Sequence, residues 1–197
     1  MLVVTGVAWA AYTDNMVPTA NYSRACAEGS ANGGVVCRTD NAAVYYYMDS
    51  GNLDGYDNAL EAVDKDIVRN MLASQYAPTD LTIHYDSTPV WTGSAETDIY
   101  YEEYPVPGDY IGMNWCNDSS PAPRHVCDQQ YIRIEGGGTY SLGVSCHETG
   151  HAVGLTHGDI ASPRRARNDP QLGCLQDPVG RSVTLGSNNR EHINATY

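Results

Sequence analysis

Residues 147–157 read His-Glu-Thr-Gly-His-Ala-Val-Gly-Leu-Thr-His. His147 and His151 are four apart, so on an α-helix they project from one face about 40° apart. Two imidazoles placed in this way reach a single zinc ion at about 2.0–2.1 Å. Glu148 follows the first histidine directly and stands beside such an ion rather than on it, where its carboxylate takes a proton from the metal's water. His157 cannot join by continuing the helix, because ten further residues carry it about 15 Å along the axis. The chain has to stop and turn back, and Gly154 accepts the left-handed conformation that ends helices. The spacing predicts three ligands for one zinc ion (His147, His151 and His157), one base (Glu148) and one hinge. Three neutral nitrogen ligands leave a fourth position open, the mark of a catalytic centre rather than a structural one.

The flanks of this stretch are those of a folded α+β protein. Upstream, a helix starts near Ser141, just after Gly136-Gly137-Gly138 breaks the chain. Strands are expected at 44–48, 81–85, 98–102, 111–115 and 131–134, where apolar and aromatic residues alternate between turn residues. Leu60, Val63, Ile67 and Met71 recur at helical spacing and predict a second long helix, with Asn58 and Glu61 resembling a capping box and Pro78 past its end. Residues 12–42 are polar and Gly/Asn/Ser-rich, an irregular lead-in. Residues 158–197 are loop-like, with a short final helix at 188–196. The order strand, helix, four strands, helix, tail suggests one sheet with two long helices packed on it.

The chain has 197 residues and a formal net charge of −13, with an excess of acid confined to the residues before 158 and a near-neutral tail after them. No basic tract exceeds two residues, which argues against nucleic acid as a partner. No apolar run approaches the length of a membrane span. There is no phenylalanine, but there are 15 tyrosines and 3 tryptophans, so an aromatic core must be built mostly from tyrosine and each buried hydroxyl needs a partner. The six cysteines form no CxxC and fall in order as three local pairs: Cys26 with Cys37, Cys116 with Cys127, Cys146 with Cys174. Six cysteines leave other pairings open. An even count without a cysteine metal motif points to an oxidising compartment. Residues 1–11, uncharged and apolar with Ala8-Trp9-Ala10 as a small-x-small site, read as the remnant of a signal peptide, with a first strand as the alternative. Residues 12–197 then form one domain, with an upper part at 12–157 and a lower part at 158–197.

HExxHxxGxxH is the signature of the metzincin zinc metallopeptidases, and the chain resembles that family. Among metzincins it is most similar to compact, secreted, matrixin-like bacterial members. The resemblance implies a mixed twisted sheet with a backing helix, an active-site helix and a short C-terminal subdomain. It also implies His147, His151 and His157 as zinc ligands and Glu148 as general base. Metzincins place a methionine in a tight turn beneath the metal, and no methionine follows Met113 here. The counterpart implied is Leu175, in Gly173-Cys174-Leu175-Gln176-Asp177-Pro178, a nearly volume-conserving exchange.

The expected protein is thus a secreted zinc endopeptidase: a monomer acting on protein or peptide substrates, with neither nucleic acid nor membrane as partner. An extended substrate would lie along a sheet edge at 108–114 by strand addition. Two other readings stay open, a zinc hydrolase for a non-peptide amide or ester and a non-catalytic zinc-binding module. Asp159, two beyond His157, is an alternative third ligand or a second-layer partner. His84, His125 and His192 read as ordinary surface or core histidines, and Arg164, Arg165 and Arg167 as a solvated basic loop. Asp49, Asn52, Asp54 and Asp57 lack the EF-hand spacing and read as a helix-capping turn.

Overall fold

The computed structural model describes residues 12–50, 59–93, 95–120 and 122–197. The signal-peptide reading of residues 1–11, the proposed cap Asn58 and most of the 49–57 acidic turn lie outside the described residues. Nine elements carry the fold: β1 (Arg38–Thr39), β2 (Ala43–Met48), α1 (Ala62–Met71), β3 (Thr82–Tyr85), β4 (Ile99–Glu103), β5 (Gly112–Ser119), β6 (Val126–Ile134), α2 (Leu142–Ala152) and α3 (Ser187–Thr196). The strands form one sheet in the order β1-β6-β4-β2-β3, all parallel, and β5 pairs antiparallel with β6. Parallel neighbours need a crossover, and α1 supplies it between β2 and β3. Among the described strands β5 pairs only with β6; along its other side the lead-in bonds to it, Gly29 N to the Cys116 carbonyl at 2.9 Å and Gly34 N to the Asn114 carbonyl at 3.3 Å.

Side chains alternate across the sheet. Val44, Tyr46 and Met48 of β2, Ile99 and Tyr101 of β4, and Ile132 and Ile134 of β6 enter one core with Val68 and Met71 from α1, Leu72 just past its end, and Val144 from α2. The opposite face carries a row of rings. Tyr47 lies 5.0 Å from Tyr100, Tyr100 4.8 Å from Tyr131, and Tyr131 5.2 Å from Trp115, centroid to centroid. Three of the buried tyrosine hydroxyls in this core find hydrogen-bond partners. Tyr76 donates to the Cys146 carbonyl at 2.7 Å, Tyr140 to the Glu102 carbonyl at 2.8 Å, and Tyr101 pairs with the Thr149 hydroxyl at 2.7 Å.

The expected elements are present, with four corrections. β5 and β6 run well beyond the expected 111–115 and 131–134. The two-residue β1 was not foreseen, because two residues carry no periodicity. Glu61 itself caps α1, without a side-chain bond, so the Asn58–Glu61 box does not set the helix start. The buried stripe of α1 is shifted by one position. Leu60, Asp64, Val68 and Met71 face inward, while Val63, counted as apolar stripe, is 63% exposed. All three local cysteine pairs are disulfides. No helix of the described residues is long and apolar enough to cross a membrane.

Candidate metal centre

α2 runs through the protein interior. Ser141 caps it by accepting from the Val144 amide at 3.3 Å, and residues 143–152 are all buried. Several polar groups of the helix are met, although the Ser145 hydroxyl is buried without a partner. Thr149 bonds back to the Ser145 carbonyl at 2.7 Å, and the Gln130 side chain donates to the Ala152 and Cys37 carbonyls. A Cβ at Gly150 would stand 2.7 Å from a Leu175 methyl, so the glycine is what lets Leu175 dock against the helix between the two motif histidines. Leu175 is fully buried.

The helix stops at Ala152. Gly154 takes φ +97°, and the Leu155 amide bonds back to the Gly150 carbonyl at 2.7 Å. A side chain at Gly154 would also press on Arg38 and Met16. The chain then doubles back, braced by the lead-in. Val17 N donates to the Gly154 carbonyl at 2.9 Å, and Thr156 N to the Asn15 carbonyl at 2.8 Å.

This turn brings His157 to His147 and His151. The ring centroids are 4.7, 5.0 and 4.8 Å apart, a nearly equilateral triangle, and one nitrogen from each ring lies within 4.8 Å of the others. Each Nδ1 faces a backbone carbonyl: His147 that of Cys174 at 2.7 Å, His151 that of Leu155 at 2.8 Å, His157 that of Leu175 at 3.1 Å. A carbonyl only accepts, so each Nδ1 carries the proton and each Nε2 is left with a bare lone pair. The Nε2 atoms of His147 and His151 are 3.1 Å apart. Two lone pairs do not attract, whereas tetrahedral zinc with bonds of about 2.0–2.1 Å spaces its ligands at about 3.4 Å. The donor set fits that ion. Burial, reinforced by the neighbouring imidazole and by Arg167, pushes His147 and His151 down to about 3 and His157 to about 4. All three are neutral at neutral pH, the state that binds metal.

Glu148 is buried one position along the helix, its carboxyl pressed against Gly112 at the start of β5, where a Cβ would overlap it. Burial and the charge of Asp177 raise its pKa to about 8, and a cation beside it acts in the opposite direction. The three histidines and Glu148 line a cleft of about 490 Å³, whose other walls include residues 109–114, 177–179 and, from the lead-in, Gly33, Gly34 and Val36. Asp159 does not join the triangle. Its carboxylate faces Arg167, 4.0 Å away, and Arg167 is held more closely by Asp177 at 2.8 Å. The other histidines lie apart: His84 stacks on Tyr45, His125 bonds the Arg24 carbonyl and His192 the Thr13 carbonyl. The arginines of 164–167 do not act as one patch, since Arg165 lies over the Tyr12 ring.

Sequence reasoning missed the carbonyls that orient the rings, which no side-chain pattern encodes, and Gly112 and Gly150, whose use is to leave space for a distant partner. A search of curated proteins finds no match. The matrixin family model matches residues 54–163, more than half of the chain. The matched stretch runs from before α1 to just past His157, and it holds β3 to β6, the backing helix and the whole histidine triangle. The chain belongs to the matrixins, zinc-dependent metallopeptidases of metzincin type with an α+β fold.

Proposed function

We propose that the protein is a secreted zinc endopeptidase in which His147, His151 and His157 hold the ion and Glu148 is the general base. The observation that carries this reading is the convergence of three Nε2 lone pairs whose Nδ1 protons are committed to carbonyls. Zinc held there supplies Lewis-acid polarisation of a carbonyl and a nucleophile at neutral pH. Glu148, next to the triangle and facing the cleft, accepts a proton from the attacking water and passes it to the leaving amine. Residues 109–114, at the start of the outer strand β5, line the cleft, which supports binding of an extended peptide as an added strand along 108–114. Three disulfides support an extracellular, oxidising site of action.

The test is cleavage of an unfolded protein by wild type and Glu148→Ala, with zinc content measured in both. Glu148→Ala should keep one zinc per chain and lose turnover by roughly 10²–10⁴-fold or more. Near wild-type turnover in that variant would remove Glu148 from the mechanism. Cleavage of small esters or amides without cleavage of protein would favour the non-peptide hydrolase.

A further inference from the structure

The shifted stripe of α1 places a carboxylate where the core expects an apolar side chain. Asp64 is 2% exposed, and its Oδ2 is buried without a hydrogen-bond partner. A buried carboxylate is costly unless it is bonded or neutralised. Across from it, Glu103 at the end of β4 also buries an oxygen, Oε2, with no partner. One oxygen from each of Glu61, Asp64 and Glu103 lies within 4.8 Å of the others. Among the described residues no lysine or arginine forms an ion pair with any of the three. Arg133 is committed to Glu102, and the Lys65 ammonium donates to the Ser50 hydroxyl. Gly136 makes room for the group, since a Cβ there would overlap the Glu103 carboxyl. Beside it opens a cavity of about 430 Å³, lined in part by Glu103, Glu135 and Gly136.

We propose that Glu61, Asp64 and Glu103 form a second cation site, separate from the histidine triangle, for a hard divalent ion of the calcium class. All the donors are carboxylate oxygens, which suit calcium or magnesium and not a soft metal. Calcium is favoured because it accepts an irregular sphere of six to eight oxygens, which water from the adjoining cavity completes, whereas magnesium demands near-ideal octahedral geometry. Bound there, the ion turns mutual repulsion between three carboxylates into a clasp. It ties the first turn of the backing helix α1 to the end of β4. In its absence a proton takes its place: burial, with Glu61 and Glu103 alongside, raises Asp64 to about 7.

The experiment uses the zinc-loaded protein dialysed into calcium-free buffer. Calcium titrated into it by calorimetry should bind at one site per chain. Calcium at about 10 mM should raise the melting temperature by about 5 °C or more, and magnesium by clearly less. Glu103→Gln, and separately Gly136→Ala, which displaces the Glu103 carboxyl without changing charge, should remove most of the rise with zinc content unaltered. No binding heat and no rise in wild type would overturn the proposal. A full rise in both variants would overturn it too, by placing the ion elsewhere. An equal response to magnesium would overturn the assignment to calcium.

Discussion

His147 donates from Nδ1 to the carbonyl oxygen of Cys174, 2.7 Å away, and Cys174 is bonded through sulfur to Cys146, the residue just before His147. One strand of turn therefore grips the active-site helix twice, once covalently and once at the ligand. The neighbouring carbonyl, that of Leu175, orients His157. The disulfide thus fixes the acceptors that set the tautomers of two of the three imidazoles. Replacing both cysteines by serine should cost about 2–4 kcal/mol in denaturant unfolding. It should also weaken zinc retention against a chelator by about 10-fold or more, because the orienting carbonyls are loosened. Unchanged retention would mean that the turn holds its place without the bridge.

The histidine triangle makes a prediction about stoichiometry. His147→Ala, His151→Ala and His157→Ala should each reduce bound zinc after dialysis from one per chain towards none. Asp159→Ala should leave it unchanged, since that carboxylate faces Arg167. Zinc analysis after dialysis decides between His157 and Asp159, and a loss confined to Asp159→Ala would reverse the assignment.

Leu175 lies fully buried against Gly150, beneath the motif helix. Leu175→Met should change stability by less than about 1.5 kcal/mol, because the volumes match. Leu175→Ala should cost about 2–5 kcal/mol and lower zinc affinity, since the space it leaves adjoins the ring supports. Equilibrium unfolding of the two variants side by side checks both figures.

Gly112 and Glu148 predict a variant that damages chemistry and spares metal. A methyl at Gly112 would overlap the Glu148 carboxyl and move the base away from the cleft. Gly112→Ala should lower kcat by about 10²-fold, the scale of an ångström of misplacement at a reacting group. Zinc content and melting temperature should stay close to wild type. A normal kcat would show that Glu148 has room to adjust.

Asp98 predicts a dependence of stability on pH. Its carboxyl is buried, and burial raises its pKa to about 7 against the opposing bond from the Tyr45 amide, 2.7 Å away. The folded chain therefore keeps a proton that the unfolded chain has already lost. The stability this contributes is fully present below the unfolded value, near 4, and is lost as pH rises through about 7. The slope is at most about 1.4 kcal/mol per pH unit. In unfolding measured from pH 5 to 8, wild type should lose stability relative to Asp98→Asn, whose amide does not titrate. Parallel curves for the two proteins would sink the prediction.

Much of the site was legible before any coordinates. The 147–157 stretch records its own local geometry: i, i+4 puts two rings on one helix face, and a glycine marks the place where the helix must end. The bridges follow cysteine order, each joining the next cysteine along the chain, although the sequence left other pairings open. Leu175 was reachable through the metzincin resemblance, which calls for a residue beneath the metal and finds Leu175 beside a cysteine in place of the methionine. Less was legible in α1, where the apolar spacing of Leu60, Val63 and Ile67 is compatible with two faces one residue apart. Packing against the sheet chose the face carrying Asp64, and no pattern of side chains announces that choice.

Residues 147–157 and the alternation of the strands determined by themselves the α+β class, the helix that carries His147, Glu148 and His151, and the turn at Gly154, because helix and strand periodicity are properties of consecutive residues. Tertiary structure alone decided that Cys174, Leu155 and Leu175 present their carbonyls to the rings. It also decided that Asp159 turns to Arg167, and that Glu61, Asp64 and Glu103 meet. Backbone carbonyls are identical at every residue, and carboxylates far apart in the chain carry no mark of one another. The packing of α2 against the 170–175 turn gives the Cys174 and Leu175 carbonyls their partners, and the approach of α1 to the end of β4 brings the three carboxylates together.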